Sequence, residues 1–515
     1  MPISREDLFA YTNGHFLIDE EHQLSRRYVR FDLDALCGTA AMAGGDSSRV
    51  AAIDKMEGRF SKAFLMKRTD GTDVIAKIPC RIAGPPSLTT AGEVGVLEYV
   101  RRHTSIPVPR VLSWSSDGSN AVGAEYIIMG KAAGVPLFQV WGNMTEFEKL
   151  HLIKNLTKLE AQLATIKFPA YGGLYLRTDM NRSNRSLASD IDPSQPFCIG
   201  PSCDRAFKTD MTLEFDQGPW DSISGFGISI AQRELFRISR EGQQNQSIYC
   251  KGTFDQQSQL LGVTMGLMKL LDSNDLLRKA CQPTLWHTDL HMGNIFVDPD
   301  EFSKILSLID FQSTSVLPAF LQAQWPIFLR PPQNYDYVKG IFQPKLPDDF
   351  DKLDEESRFI ALCEWSQVKL AKAYEVSTYL EDRAAHDAMS VPRVFRELFI
   401  RCGEVSEVGI VPLRACLIEI FQNWSSLGFS RNCPYSFSQA EIEEHERQFA
   451  EYQAWYEVRA LAEECLGTDA EGWIAPQLDI NEKRRQNEEL MALYIEKVAG
   501  ERSAKEAKAM WPFFP

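Results

Sequence analysis

A short segment near the middle of the chain carries the side chains with the clearest chemical potential. It contains Asp289, then Asn294 five residues later and, after two β-type runs, Asp310. If those runs, Ile295–Val297 and Ile305–Ile309, pair as a hairpin, Asn294 and Asp310 lie side by side at its open end. An amide oxygen and a carboxylate held together in this way are hard oxygen ligands that suit Mg²⁺. Asp289 lies on the entering loop, where it can face a substrate hydroxyl.

This arrangement meets the requirements of phosphoryl transfer. The protein must position the acceptor, neutralise charge on the β- and γ-phosphates and place a carboxylate near the hydroxyl proton. Each residue alone has an ordinary structural explanation as a cap, a turn residue or a core residue. Together they predict Asp289 as the catalytic base and Asn294 and Asp310 as the metal ligands. We expect His287 to shape the loop by packing and hydrogen bonding, and His291 is a weaker candidate for a substrate or phosphate contact.

An upstream strand is expected to supply the cation that this site still needs. Lys77 lies in the run DVIAKI, a pattern typical of a lysine that pairs with the phosphates of ATP. Its flexible side chain needs a carboxylate to hold it, and Glu93 is the first candidate and Glu98 the second. Thr90 and Glu93 also match a capping box, so Glu93 could instead open a helix. Gly58, in MEGRFSKAF, lies where a turn could cover the phosphates, although no G-x-G-x-x-G is present.

The predicted elements change character along the chain. Residues 44–130 combine β-type runs with one helix, and Asp70-Gly71 supplies a hairpin turn. Beyond residue 136 amphipathic helical patterns dominate, interrupted by a loop-rich stretch over residues 170–220. The pattern predicts an α+β architecture with a small β-rich N-lobe and a large mostly helical C-lobe. The predicted divisions are an N-terminal extension (1–43), the N-lobe (44–130), a C-lobe part (131–349) and a helical C-terminal part (350–515). The C-lobe part contains a helical insert (about 140–280), the catalytic loop that carries Asp289, and the metal-binding hairpin.

Composition argues against several classes of protein. The formal net charge is −15, from 70 acidic and 55 basic residues, which disfavours a general nucleic-acid binder. The longest apolar stretch, residues 316–329, is interrupted by Pro and Gln and is shorter than the about 20 residues that a membrane span needs. Eleven scattered cysteines without a C-x-x-C pair favour a reducing compartment. The N-terminus matches neither a secretory signal nor a transit peptide, so composition alone favours the cytoplasm, and it does not indicate an oligomeric state.

The chain resembles the aminoglycoside phosphotransferase superfamily. The matching segments include VIAKIPC, LWHTDLHMGNIFVD and LIDFQSTSVLPAFLQA. Within the superfamily it looks most like the fungal group that includes altered inheritance of mitochondria protein 9. The resemblance implies a bilobal protein-kinase-like fold, ATP and Mg²⁺ as cofactors, and the roles already assigned to Asp289, Asn294, Asp310, Lys77 and Glu93.

The resemblance also implies a hinge and a location. The strand that ends at Met129 would hold adenine through backbone groups, and the fungal group points to the mitochondrion.

The chain departs from the superfamily at Ser61, where Asn is expected, and at Phe311, where Trp is common. No Asp-Phe-Gly and no A-P-E-like end follow the hairpin, which argues against a protein kinase. We therefore expect a small-molecule hydroxyl acceptor. The alternatives are a nucleotide-binding scaffold without activity and a nucleotidyl transferase.

Overall fold

The structure is a computed structural model, and it describes residues 4–45, 47–180, 183–194, 196–207, 216–241, 252–332 and 343–514. The strands, in chain order, are β1 (His15–Phe16), β2 (Val50–Glu57), β3 (Ser61–Arg68), β4 (Asp73–Pro79), β5 (Val111–Ser115), β6 (Tyr126–Gly130), β7 (Val135–Pro136), β8 (Gly172–Leu176), β9 (Arg185–Ser186), β10 (Phe197–Gly200), β11 (Pro283–Leu285), β12 (Ile295–Val297), β13 (Ile305–Leu308), β14 (Ser315–Pro318) and β15 (Trp473–Ile474).

The helices are α1 (Glu20–Arg27), α2 (Leu33–Met42), α3 (Leu88–His103), α4 (Leu137–Val140), α5 (Glu146–Ala164), α6 (Ile223–Glu241), α7 (Phe254–Met268), α8 (Ala319–Gln322), α9 (Glu355–Glu381), α10 (Arg383–Met389), α11 (Arg393–Cys402), α12 (Val405–Val408), α13 (Val411–Gln422), α14 (Gln439–Leu466), α15 (Ile480–Lys497) and α16 (Ala504–Met510). With a β-rich small lobe and a helical large lobe, the chain has the predicted α+β, bilobal, protein-kinase-like fold.

The small lobe is built on a five-stranded antiparallel sheet in the order β2-β3-β4-β6-β5. The turn between β3 and β4 contains Gly71 at φ +84°, which confirms the hairpin predicted from Asp70-Gly71. Phe64 on β3 is fully buried and packs in one apolar cluster with Phe31 and Leu36 from the N-terminal segment. Residues before the sheet therefore supply part of the core of this lobe.

The start of α3 differs from the sequence prediction. The helix begins at Leu88, after Ser87 in a positive-φ conformation, and not at Thr90. Glu125, from the loop before β6, accepts hydrogen bonds from the Ser87 N–H at 2.8 Å and the Thr90 hydroxyl at 2.6 Å. The predicted capping box of Thr90 and Glu93 is therefore wrong, because a carboxylate from outside the helix takes the capping role. Glu93 is left to bond a partner on the sheet.

A second sheet, in the order β13-β12-β7, holds the predicted metal-binding hairpin. Residues 295–297 and 305–308 pair as antiparallel strands, which confirms the hairpin. The linker between the lobes contributes β7, so it lies directly against this hairpin. Gly134 at φ +89° permits that approach, because a Cβ atom there would lie 2.3 Å from the Val297 carbonyl oxygen.

A third sheet, in the order β11-β14-β8-β10-β9, was not predicted. Its strands β8, β9 and β10 lie in residues 172–200, inside the stretch expected to be loop-rich. Every residue of β10 is buried, and β8 is buried except at its last residue, so neither strand shows the alternation that marks a strand in sequence. The insert is therefore not purely helical, and its strands join those that flank the catalytic loop and hairpin.

Helices build the rest of the large lobe. Helix α5 begins with a capping box in which Thr145 and Glu148 bond each other's backbone N–H groups. Helices α6, α7, α11 and α13 contribute most of the helical side chains of the largest apolar cluster. Within the described part of the chain, no helix is both long and apolar enough to cross a membrane.

The C-terminal part returns to the small lobe. Strand β15 pairs with β1, and Trp473 donates a hydrogen bond to the Asn13 carbonyl at 3.0 Å. Arg27 is fully buried and donates to Glu471 at 2.7 Å. Arg59, in the turn between β2 and β3, forms an ion pair with Asp469. Residues 469–474 therefore link the C-terminal helices to the turn that was predicted to cover the phosphates.

Candidate active site

Three charged side chains meet between the lobes. Lys77, on β4, donates to both Glu93 carboxylate oxygens at 2.7 and 2.9 Å and to Asp310 Oδ1 at 2.7 Å. Glu93 reaches the lysine from the buried face of α3. Glu98, the second candidate partner, instead accepts a hydrogen bond from Arg102 at 2.8 Å. The structure therefore pairs the lysine with Glu93 and joins it to the hairpin through Asp310.

The electrostatics favour the charged forms of Lys77 and Asp310, whereas burial raises the pKa of Glu93. Burial lowers the pKa of Lys77, but Asp310 and Glu93 outweigh burial and raise the pKa well above its ordinary value. Burial raises the pKa of Asp310, but the ammonium of Lys77 outweighs that effect, so the pKa of this carboxyl is lowered. Lys77 and Asp310 are therefore both charged at neutral pH.

The hairpin brings Asn294 next to Asp310. Ile295 pairs with Leu308, and the Ile309 N–H donates to the Asn294 carbonyl at 3.0 Å, one step beyond the ladder. Asp310 then adopts a left-handed backbone conformation with φ +64°, which is uncommon for a residue other than glycine. This conformation turns the chain at the point where both side chains leave the hairpin.

The oxygen atoms at this end of the hairpin are suited to a cation. Asn294 is buried, and its Nδ2 donates to the Asp289 carbonyl at 2.9 Å. Within the described residues, its Oδ1 and the second oxygen of Asp310 accept no hydrogen bond. Those residues contain no cluster of three or more His, Cys, Asp or Glu side chains that could hold a metal ion. Two protein oxygens fit Mg²⁺, which usually takes one or two protein ligands and completes its shell with phosphates and water.

The predicted catalytic loop is shaped by a neutral histidine. His287 is buried, its Nε2–H donates to the Ile309 carbonyl at 2.9 Å, and its Nδ1 accepts the Asp289 N–H at 3.3 Å. Burial lowers the pKa of His287 and favours this neutral tautomer. His291 is exposed and its Nδ1 accepts the Gly293 N–H at 3.0 Å. The Asp289 carboxylate is exposed and accepts no hydrogen bond from a described residue.

The turn predicted to cover the phosphates is tied to the hairpin. The Gly58 N–H donates to the Ser61 carbonyl at 3.1 Å and closes the turn between β2 and β3. A Cβ atom at Gly58 would find its nearest neighbour at 3.8 Å, so this position does not require glycine. Gln312 Nε2 donates to Ser61 Oγ at 2.8 Å, two residues after Asp310. The turn is therefore held in place by the contact between Ser61 and Gln312, and not by a requirement for glycine at position 58.

The predicted hinge lies beside the lysine strand. Met129 is buried in β6 and pairs with Ile75 on β4. The Gly130 N–H donates to the Arg110 carbonyl at 2.9 Å and is therefore occupied. The Lys131 N–H donates to no described residue, so it is an available backbone donor at this edge.

Sequence reasoning missed one charged residue near the cleft. The Arg205 guanidinium lies 3.5 Å from the ring centroid of Phe60, in the turn between β2 and β3. Three strands of the unpredicted third sheet, β8, β9 and β10, precede Arg205 in the chain, and no local pattern marks this residue. Its position depends on the tertiary pairing of β8 with β14, the strand that follows the hairpin, and sequence does not show that pairing.

A cavity of about 120 Å³ opens beside the catalytic loop. Glu160 of α5 reaches this cavity, where its Oε2 accepts the Tyr374 hydroxyl at 2.9 Å and its buried Oε1 has no hydrogen-bond partner. Burial raises the pKa of Glu160 to about 8, so the carboxyl is neutral at pH 7. The cavity is lined by, among others, Glu160, Trp286, Thr288, Asp289, Trp325 and Arg330.

Replacing Glu160 with glutamine is expected to change how stability depends on pH. Because the folded pKa is raised from 4.5 to about 8, the carboxyl stabilises the fold fully below pH 4.5, and this contribution is lost as the pH rises through 8. Glu160→Gln should therefore raise the thermal midpoint, relative to wild type, by several degrees at about pH 9 and little at about pH 5. An exposed control, Glu457→Gln, should show no such difference. A constant difference between Glu160→Gln and wild type across this range contradicts the prediction.

Removing the buried lysine is expected to destabilise the small lobe. Lys77→Met leaves Glu93 buried without its partner, and breaking a buried pair in this way costs about 3–5 kcal/mol. Glu93→Gln should cost less, because Lys77 keeps Asp310. Urea unfolding followed by tryptophan fluorescence measures both, with Lys67→Met as a control at an exposed pair on the adjacent strand. Equal midpoints for Lys77→Met and Lys67→Met would rule out this energetic role.

Comparison with known proteins relates the sequence to phosphotransferases. The sequence profile of the phosphotransferase enzyme family matches residues 57–320, a range that contains the turn, the lysine, the catalytic loop and the hairpin. The chain is 30% identical over 470 residues to a subtelomeric hrmA-associated cluster protein of Aspergillus fumigatus, covering 82% of this chain and 88% of that protein.

Two further comparisons are more distant. The chain is 22% identical over 486 residues to altered inheritance of mitochondria protein 9, mitochondrial, of Yarrowia lipolytica, covering 87% of this chain and 82% of that protein. A solved structure of APH(2'')-IIa in a ternary complex with streptomycin and ATP superposes with a TM-score of 0.37 and 14% identity, covering 74% of this chain and 94% of that one.

Proposed function

The chain belongs to the phosphotransferase enzyme family, and from that premise we propose that it is a small-molecule kinase that uses Mg²⁺ and ATP to phosphorylate a hydroxyl group. One observation carries the proposal, which is the unbroken series of contacts across a single cleft. The Lys77 ammonium donates to the Asp310 carboxylate at 2.7 Å, the Ile309 N–H donates to the Asn294 backbone carbonyl at 3.0 Å, and the Asn294 side-chain amide donates to the Asp289 backbone carbonyl at 2.9 Å. A structural role alone does not require these four polar groups together.

Each of these groups has a defined task in the proposed reaction. Lys77, held by Glu93, binds phosphate oxygens of the nucleotide, and Asn294 Oδ1 and the Asp310 carboxylate hold Mg²⁺. The metal supplies positive charge that offsets the charge of the β- and γ-phosphates. Asp289 accepts the proton of the acceptor hydroxyl while that oxygen forms its bond to the γ-phosphorus. The bond from the γ-phosphorus to the bridging oxygen breaks, and ADP leaves.

Main-chain groups of the small lobe complete the proposed nucleotide site. The turn that contains Gly58 covers the phosphates, and the contact from Ser61 to Gln312 holds it near the hairpin. Adenine lies against the edge of β6 beyond Met129, where the Lys131 N–H is the available donor. This assignment keeps the predicted hinge but shifts the donor past Gly130, since that N–H is already bonded to Arg110.

The acceptor in this proposal enters through the cavity beside the catalytic loop. Asp289 lines the cavity and presents a carboxylate that no described residue engages. A volume of about 120 Å³ suits a small molecule or one arm of a larger one. Glu160 adds a neutral carboxyl that can donate a hydrogen bond, and Trp286 and Trp325 add apolar surface. The acceptor is therefore expected to be a compact polar molecule with an apolar face.

Product analysis on the purified full chain tests the proposal. The protein is incubated with Mg²⁺, ATP and pooled hydroxyl metabolites, and products are identified by mass. A metabolite that gains one phosphoryl group supports the kinase. A gain of AMP would show nucleotidyl transfer instead, and nucleotide binding without turnover across a broad panel would favour a scaffold. Either of the last two results overturns the proposal.

We further propose a mitochondrial location on the basis of the relatives named as mitochondrial. The alternative is the cytoplasm. Fractionation of fungal cells that express the full chain with a C-terminal tag tests the two. Enrichment with a mitochondrial matrix marker supports the proposal, and enrichment with a cytosolic marker contradicts it.

A further inference from the structure

Arg205 comes from the insert, but its surroundings belong to the cleft. Two residues earlier, Cys203 Sγ lies 3.5 Å from the Thr314 carbonyl oxygen and 3.4 Å from Ser315 Oγ, in the segment that follows the hairpin. The Arg205 guanidinium itself lies 3.5 Å from the ring centroid of Phe60. It is therefore held between the turn that covers the phosphates and the chain that leaves the metal-binding hairpin.

Among the residues that the structure describes, the Arg205 guanidinium has no bonded counterion. Within the described residues it donates no hydrogen bond, and no acidic side chain lies within 4.0 Å of it. A guanidinium carries five N–H donors, and leaving them without partners in a half-buried site is costly. Burial is the main influence on its pKa and lowers it, and the charges of Asp204, Asp289, Asp310 and Glu471 oppose that effect. These carboxylates attract the guanidinium without occupying its donors.

The charge balance of the cleft also calls for a second cation. Lys77 is bonded to both Glu93 and Asp310, and Asp289 adds a third carboxylate. Because the Lys77 ammonium is already bonded to two carboxylates, it has little positive charge to spare for a nucleotide triphosphate beyond that of the metal ion. Arg205 is the cation that the insert adds to this region.

We propose that Arg205 binds oxygens of the γ-phosphoryl group and stabilises their charge during transfer to the acceptor. This assignment rests on the proposed kinase function. The planar guanidinium can donate to two phosphate oxygens at once, which an ammonium cannot do with the same geometry. Stacking on Phe60 orients it and makes its position depend on the closed turn. An anionic group on the acceptor offers the same chemistry, so the test separates these two sources.

Binding without acceptor isolates the γ-phosphate. Calorimetric titrations compare the Mg²⁺ complexes of a non-hydrolysable ATP analogue and of ADP on wild type and on Arg205→Ala. The variant is expected to lose about 10- to 100-fold in affinity for the triphosphate, the range for a charge-assisted contact. Its affinity for the diphosphate should change by less than about 3-fold, because ADP has no γ-phosphate. Arg205→Lys should recover part of the loss in triphosphate affinity, because it restores the positive charge but not the planar pair of N–H donors.

Two variants control for structural effects. Arg185→Ala removes an exposed arginine of the same insert, paired with Asp221 at 3.0 Å, and should leave both affinities unchanged. Arg205→Gln keeps a polar side chain without the charge, so it should lose triphosphate affinity even if Arg205→Ala folds poorly. Circular dichroism confirms that each variant is folded.

The outcomes separate this inference from the kinase proposal. The inference is overturned if Arg205→Ala and Arg205→Gln keep the wild-type preference for triphosphate over diphosphate, or lose both nucleotides equally. It is also overturned if only acceptor affinity falls, which would assign Arg205 to an anionic acceptor. If wild type binds neither nucleotide, the kinase proposal itself fails. If wild type prefers the triphosphate and only the Arg205 variants lose that preference, the result supports both the role of Arg205 and the kinase proposal.

Discussion

Asp289→Asn is expected to lower kcat by about 10²- to 10⁴-fold, the usual contribution of a general base. The amide has nearly the same size but cannot accept the proton of the acceptor hydroxyl. Because the Asp289 carboxylate bonds no described residue, the substitution removes no structural contact of that side chain. Its backbone N–H and carbonyl, which do bond His287 and Asn294, are unchanged. Nucleotide affinity should therefore stay close to that of wild type.

Turnover with the acceptor found by product analysis measures this effect, and calorimetry measures nucleotide affinity. Asp300→Asn, in the exposed turn of the same hairpin, is the matched control and should keep the wild-type rate. If Asp289→Asn turns over as fast as Asp300→Asn, Asp289 is not the base. If it loses nucleotide affinity as well, the residue acts by shaping the loop, and the assigned role is wrong.

Asp310→Asn is expected to lower kcat/KM by at least about 100-fold, because a metal ion contributes several kcal/mol of charge stabilisation in the transition state. The substitution removes a negative ligand of the proposed metal and one of the two anionic partners of Lys77. Asparagine tolerates the left-handed conformation at φ +64° nearly as well as aspartate, so backbone strain does not explain a loss. The effect should therefore depend on the concentration of Mg²⁺.

Magnesium titrations distinguish a metal ligand from a structural residue. For Asp310→Asn, the Mg²⁺ concentration that gives half-maximal activity should rise, and excess Mg²⁺ should restore part of the rate. Asp298→Asn changes a carboxylate at the far end of the hairpin, paired with Lys304 at 3.1 Å, and should leave the titration unchanged. An Asp310→Asn rate that falls without any shift in Mg²⁺ dependence would exclude the ligand role.

Local sequence was sufficient to predict the hairpin and the loop before it. Asp289, Asn294 and Asp310 lie within 22 residues, and the turn between the two β runs sets their relative position. The strand that carries Lys77 was equally clear, because its β pattern and the Asp70-Gly71 turn lie side by side in sequence. Short-range geometry of this kind leaves few alternatives, since a hairpin has a defined register.

The partner of Lys77 could not be decided in the same way. Glu93 fitted both a capping box with Thr90 and an ion pair with the lysine, and sequence spacing permits both. Glu125 resolved the choice, because it caps α3 from a different segment and so leaves Glu93 available. When a side chain has two plausible partners nearby in sequence, sequence alone does not choose between them. Here Glu125, a distant residue, bonds Thr90 and so removes the capping alternative for Glu93.

The sequence by itself determined the α+β organisation, the loop that carries Asp289, the hairpin and the strand that carries Lys77, because each of these depends on the pattern of neighbouring residues. The tertiary structure alone decided the partner of Glu93, the placement of Arg205 beside Phe60, the burial of Glu160 and the return of residues 469–474 to the small lobe. These features join segments separated by tens to hundreds of residues. Their stability comes from burial and pairing after the chain has folded, and such contacts leave no periodic or local pattern in sequence.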